Sequence, residues 1–324
     1  MTAAGPILRV EGLSTVFGIS TGLFSAPLEF RAVADVSFDL APGETLGVVG
    51  ESGCGKSTLG RSILRLIEPT EGRVVLDGRD ITALTGEELR RTRRDMQIVF
   101  QDPVSSLDPR MTVADIIAEP LTVFEPGLNR AGRHARVLEI MDRVGLAAAM
   151  VNRYAHEFSG GQAQRIGIAR AIVAKPRLVV CDEPVSALDV SIQAQIINLL
   201  IELKRTLGLT LIFISHDLSV VRHISDRILV LYLGRVVETG ARDAVFGAPR
   251  HPYTRALLAA ALVPDPSSAA RDLAVPGGEV PSPINPPSGC PFRTRCPLAE
   301  GRCAGERPVL RELQDGRRVA CHFA

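Results

Sequence analysis

Residues 50–57 read GESGCGKS and match the pattern G-x-x-x-x-G-K-[ST], between an aliphatic run, TLGVV (45–49), and an apolar helical pattern, STLGRSILRLI (57–67). A strand, a glycine-rich turn and a helix in this order commit the surrounding chain to an α/β domain. Gly50, Gly53 and Gly55 let the backbone curl, so that successive N–H groups and the following helix N-terminus converge on phosphate oxygens. Lys56 supplies a compact positive charge and Ser57 a hydroxyl for Mg²⁺. Only three lysines, Lys56, Lys175 and Lys204, occur among 37 basic residues, and one falls where an ammonium suits phosphate. The loop predicts nucleotide contacts from Gly50, Glu51, Ser52, Gly53, Cys54, Gly55, Lys56, Ser57 and Thr58.

A second run, LVVCDE (178–183), places two acids after four aliphatic residues, at the C-terminal end of a buried parallel strand where open α/β sheets bind ligands. Asp182 suits Mg²⁺ held through water, and Glu183 suits a base that polarises the attacking water. A third strand is expected over Leu209–Ser215, preceded by an amphipathic helix over Ser191–Leu207 with Gly208 as its C-cap. Arg227–Tyr232 and Val236–Glu238, joined through Leu233-Gly234-Arg235, read as a hairpin. From Pro249 the composition shifts to proline-rich sequence, read as an extended linker into a small cysteine-bearing module.

Composition narrows the partners. The formal net charge is +1, aromatics make up 4% and tryptophan is absent, so neither a basic nucleic-acid footprint nor a set of base-stacking platforms is present. The N-terminal residues lack a signal-peptide pattern, and apolar runs such as Ala256–Val263 fall short of the roughly 18 residues that cross a bilayer. A cytosolic chain whose membrane role is peripheral is expected.

Lys56 and Asp182 are 126 residues apart, room for an inserted helical subdomain, and FSGGQAQRIGIARA (158–171) lies in that interval. With this stretch the chain resembles the ATP-binding cassette (ABC) family. The resemblance implies a P-loop NTPase fold: a RecA-like core with an antiparallel β subdomain, an inserted helical subdomain at about 103–170 and a small cysteine-containing C-terminal extension. It implies an ATP-binding domain over 1–247 and an extension over 248–324. Gln101 matches the lid glutamine that contacts Mg²⁺ and the attacking water. Asp189 in SALD (186–189) matches the D-loop, and His216 the switch histidine at the γ-phosphate. Ser57, Gln101 and Asp182 become the Mg²⁺ residues; Glu183, His216 and Gln101 become the catalytic group. Ser159, Gly160, Gly161 and Gln162 would close on ATP held by another subunit. Phe17 is the expected adenine-stacking aromatic, with Phe24 and Phe30 in the same stretch.

QDPVSSLDPRMTVADIIAEPL (101–121), DEPVSALDVSIQAQIINLL (182–200), HDLSVVRHISDRILVLYLGRVVE (216–238) and APRHPYTRALL (248–258) narrow the resemblance to the oligopeptide and dipeptide importers, a branch that includes nickel importers. Residues 18–31 resemble the N-terminal insertion of the subunit that pairs with a different cassette protein. Phe158 and Ala163 depart from the commoner Leu and basic residue. The resemblance implies ATP-driven import of di- or oligopeptides at the cytoplasmic face of the inner membrane. The implied partners are a second ABC ATPase subunit, two membrane permeases and an extracytoplasmic solute-binding protein, with no nucleic acid. A soluble cassette ATPase acting on ribosomes or DNA usually has two cassettes or a long coiled-coil insert, and this chain has neither.

Cys290, Cys296, Cys303 and Cys321 are spaced C-x5-C-x6-C-x17-C. Four thiols in a proline-rich tail suggest a metal acting as a structural staple. The absence of a C-x2-C knuckle weakens zinc, and the family's extension resembles one that holds a 4Fe-4S cluster; zinc, free thiols and a redox-sensing role remain the alternatives. His322 is a substitute ligand, while Cys54 and Cys181 read as space-filling residues.

Overall fold

The computed structural model describes residues 5–19, 28–261 and 279–324. The chain divides into two compact units. One is built mainly of Arg79–Ile214, the other of Leu8–Asp39, Leu46–Gly78 and Ser215–Ala324.

In the first unit, strands Met96–Val99, Leu178–Asp182 and Thr210–Ile214 lie parallel, with Met96 opposite Leu178 and Asp182 opposite Ile214. The last two are buried at every position, which is why they read as unbroken aliphatic runs rather than alternating ones. Helix Val190–Leu207 turns its Ile196, Ile197, Leu199, Leu200 and Leu203 inward. It stops at Gly208, whose φ of 66° closes the last turn in the left-handed conformation that the sequence pattern requires of a glycine there. Helices Val113–Phe124, Arg130–Arg143 and Gly160–Ile172 pack on one another. Thr112 and Asn129 cap the first two by accepting from Asp115 N and Gly132 N.

In the second unit, strand Thr45–Val49 runs parallel to Arg227–Tyr232, with Leu46 opposite Arg227 and Val49 opposite Val230. The hairpin expected at 227–238 forms, and its return strand extends to Arg235–Ala241. The C-terminal extension adds to that strand: Val319 lies opposite Glu238, and Arg311–Glu312 pairs with Arg318–Val319. A second, antiparallel sheet places Leu8–Ile19 between Leu28–Leu40 and Glu71–Leu76.

The extension is anchored by a buried cluster. Phe292 stands edge-on to Tyr232 and Tyr253 at 5.3 and 5.4 Å, and Tyr232 and Tyr253 are 4.6 Å apart. Burial of Phe292 alone is worth roughly 1.5–3 kcal/mol. Beside it the fully buried Glu238 carboxylate accepts hydrogen bonds from the backbone N–H groups of Arg250 and His251, at 2.9 and 2.8 Å, and faces Arg317 at 3.8 Å. His251 Nδ1 accepts from Tyr253 N at 3.0 Å, and burial drives the imidazole pKa down to about 3, so the ring is neutral. The HPY run at 251–253, which reads in sequence as the opening of the extension, is therefore its interior foundation.

Candidate nucleotide-hydrolysing site

The phosphate loop lies in the second unit, after strand Thr45–Val49. Gly55 is the N-cap of helix Lys56–Ile63, with φ 102°; a β-carbon there would collide with the Ala32 carbonyl oxygen, so the position demands glycine on both conformational and steric grounds. Lys56 is buried, and its Nζ donates to Gly50 O at 2.8 Å and Glu51 O at 3.0 Å, which holds the ammonium over the loop. Cys54 packs beneath it, and burial raises its thiol pKa, in keeping with a space-filling role. Ser57 and Thr58 open the helix, partly exposed, and Ser52 and Gly53 are exposed at the loop's crest.

His216, in the same unit, lies two residues beyond the end of strand Thr210–Ile214 and is exposed. Asp217 beside it caps the next helix by accepting from Ser219 N and Val220 N. Phe17, on strand Leu8–Ile19, has 36% of its surface exposed, and its ring stacks on Phe30 at 6.1 Å. Phe24 lies outside the described residues.

The acidic pair and the signature lie in the first unit. Asp182 ends strand Leu178–Asp182 with no exposed surface. Glu183 departs from the strand in a left-handed conformation, φ 49°, a strained state for a non-glycine residue. Its backbone N–H donates to Ile214 O at 3.0 Å, and its Oε2 accepts from Gln101 Nε2 at 3.1 Å. Cys181 is sealed in the sheet, and burial pushes its thiol to about 12. Ser159 is the N-cap of helix Gly160–Ile172 and exchanges capping bonds with Gln162. Ser159 and Gln162 are thus engaged with each other at the helix end, beside Gly160 and Gly161. Asp189 is exposed at the N-terminus of helix Val190–Leu207.

The four cysteines of the sequence pattern lie in the C-terminal extension. Cys290, Cys303 and Cys321 are buried and Cys296 partly so, all as free thiols. The Cys290 and Cys303 backbones are joined by a 2.8 Å bond, and burial pushes the Cys290 thiol to about 11. Among the described residues, however, no group of three or more His, Cys, Asp or Glu side chains is disposed to hold a metal ion. His322 Nε2 faces the Glu306 carbonyl at 3.0 Å instead of a sulfur. Burial aside, the Cys303, Cys296 and Cys321 thiols lie near enough to contribute to the raised Cys290 pKa, and Cys321 and Cys303 to that of Cys296, so the four sulfurs gather within one module.

Two residues of consequence escape the motifs. Tyr253, read in sequence only as part of the run that opens the extension, has a hydroxyl that accepts from Glu51 N at 2.8 Å; Arg295, hidden between two cysteines, makes a double salt bridge to the Glu51 carboxylate.

The profile of the ABC transporter family matches residues 33–186, and that of the oligopeptide/dipeptide transporter C-terminal region matches 237–303. An oligopeptide transport ATP-binding protein, OppF, from Salmonella typhimurium is 54% identical over 308 residues, covering 94% of this chain and 92% of its own. The chain belongs to the ABC transporter family. A second OppF, from Haemophilus influenzae, is 50% identical over 97% of this ABC chain and 96% of its own. A solved dimer of the ATP-binding cassette MJ0796, in a post-hydrolysis state bound to ADP and Pi, superposes with a TM-score of 0.65 at 30% identity, over 72% of this chain and 98% of that one. The fold is that of an ABC ATPase cassette, and the chain is an ABC-type transport ATPase. Among the described residues no helix is long and apolar enough to cross a membrane.

Proposed function

We propose that this chain is the ATP-hydrolysing subunit of an importer of di- and oligopeptides. The observation that carries the reading is near end-to-end likeness, 50–54%, to oligopeptide transport ATP-binding proteins, including the C-terminal region typical of that branch.

The chemistry assigns roles within each unit. In one, the amide groups of the phosphate loop and the buried Lys56 bind the β- and γ-phosphates of ATP, and Ser57 offers a hydroxyl oxygen to Mg²⁺. Phe17 stacks on adenine, and His216 contacts the γ-phosphate. In the other, Asp182 and the Gln101 side-chain oxygen are hard donors suited to Mg²⁺, and Glu183 takes the proton of the attacking water. When bound, Mg²⁺ would supply charge neutralisation to the transferring phosphate. Gln101, by its bond to Glu183, holds the base carboxylate in one orientation. Ser159, Gly160 and Gly161 present N–H groups toward a nucleotide on a second cassette, and Asp189 faces that partner across the dimer.

The dimer binds two membrane permeases at the cytoplasmic face and receives substrate from an extracytoplasmic binding protein. Residues 1–247 form the ATP-binding domain, with the helical subdomain at about 103–170, and 248–324 the extension. The test is affinity purification of the chain from detergent-solubilised membranes, followed by ATP-dependent uptake of labelled peptides in reconstituted vesicles. Co-purifying permeases and peptide uptake support the reading. Uptake of nickel alone replaces the substrate, and ribosomal or DNA-repair partners replace the transporter.

A further inference from the structure

Glu51 stands at a position that the phosphate-loop pattern leaves unspecified, yet its side chain, N–H and carbonyl are all held by hydrogen bonds. Its carboxylate accepts two parallel bonds from Arg295, Nη1 to Oε2 at 2.8 Å and Nη2 to Oε1 at 2.9 Å. Its N–H donates to the Tyr253 hydroxyl at 2.8 Å, and its carbonyl accepts from Lys56 Nζ at 3.0 Å. Tyr253 is sealed in the aromatic cluster, and Arg295 is 8% exposed, its guanidinium 5.9 Å from the Phe292 ring centre. The Glu51 carboxylate stabilises the guanidinium charge strongly enough to raise the Arg295 pKa. Both partners come from the C-terminal extension, 202 and 244 residues further along the chain.

A carboxylate in a loop that binds phosphate opposes its own ligand unless it is neutralised. A planar, bidentate guanidinium cancels that charge and fixes the side chain's direction in one contact, which a single ammonium does not. We infer that Arg295 is a positioning residue for nucleotide binding: by neutralising and holding Glu51, the cysteine-bearing module sets the affinity of the phosphate loop for ATP. The inference rests on the ATPase reading above and deepens it, since it gives the extension a role in the same site.

The experiment is MgATP affinity and steady-state hydrolysis on the full-length chain, with thermal unfolding as a folding control. Arg295→Ala is expected to raise KM and Kd for ATP about tenfold with kcat changed by less than about threefold, the pattern of lost uniform binding. Arg295→Lys recovers part of that loss. The discriminating variant is Glu51→Gln with Arg295→Ala, which removes the unpaired charge and is expected to return KM to within about threefold of wild type. A purely structural contact would leave the double variant as impaired as Arg295→Ala and would overturn the inference. If Arg295→Ala does not fold, Glu51→Gln alone decides: the freed guanidinium is expected to lower KM for ATP by about two- to fivefold. A raised KM there overturns the charge argument. A folded wild-type chain with no ATP affinity overturns the ATPase reading itself, whereas normal wild-type binding with an unaltered Arg295→Ala overturns only the role of Arg295.

Discussion

Gln101 and Glu183, 82 residues apart, are joined by a 3.1 Å hydrogen bond from the glutamine Nε2 to the glutamate Oε2. The bond ties the Glu183 carboxylate to the Gln101 side chain, and Glu183 takes a left-handed backbone conformation, φ 49°, directly after the strand that carries Asp182. Replacing Glu183 with Gln keeps the shape and removes the proposed proton acceptor. Hydrolysis by Glu183→Gln is expected to fall by about 10²–10⁴-fold with ATP still bound. Phosphate release and nucleotide affinity, measured on one preparation, check it; near-normal turnover would take the base role from Glu183.

Gly161 in the signature has its closest neighbour across the helix pair. A β-carbon there would stand 2.5 Å from Ile192 Cγ2. Gly161→Ala is therefore expected to cost about 1–3 kcal/mol by overpacking, and Ile192→Ala in the same chain to restore most of it. Calorimetry reads the stability, and ATPase assays read the signature. Recovery of the melting temperature without recovery of hydrolysis would show that the glycine is also needed for close approach to the nucleotide.

His251 gives the fold a defined acid sensitivity. Its pKa is held at about 3 against an ordinary 6.5, so below pH 6.5 the unfolded chain takes up a proton that the native ring refuses. This contribution to stability is intact above pH 6.5 and declines as the pH falls toward 3, by at most about 1.4 kcal/mol per pH unit. Urea midpoints from roughly pH 7 to 4 measure the slope, and His251→Gln is expected to flatten it. An equal slope in the variant would assign the acid sensitivity elsewhere.

Glu238 and Arg317 are a buried pair whose acid also serves two backbone N–H groups. Glu238→Ala leaves those two buried donors without their acceptor, while Arg317 keeps Asp315, and is expected to destabilise the chain by about 2–4 kcal/mol. Glu238→Gln, which keeps one oxygen, should lose less. Denaturant titration compares the two, and equal losses would mean that packing volume rather than hydrogen bonding is at stake.

Much of this protein was legible along the chain because its chemistry sits in short, local patterns. The loop at 50–57, the acid pair 182–183, the helix end at Gly208 and the hairpin from Arg227 each depend on neighbours a few residues away, through backbone conformation, strand burial and capping. The stretch FSGGQAQRIGIARA carried the family by resemblance. What tertiary structure alone decided lies at long separation. Glu51 gives no sign in sequence that residues 202 and 244 positions away will hold it, because a salt bridge needs converging side chains and not a spacing. The four cysteines make a related case: their place in a proline-rich tail and the family resemblance suggested a shared metal, and only folding brings Cys296, Cys303 and Cys321 near enough to act on the Cys290 thiol. Local sequence determined which backbone would cradle a phosphate and which strand end would carry the acids. The packing of the extension on a buried aromatic cluster decided what restrains that cradle, since only folding brings those distant groups within hydrogen-bonding range.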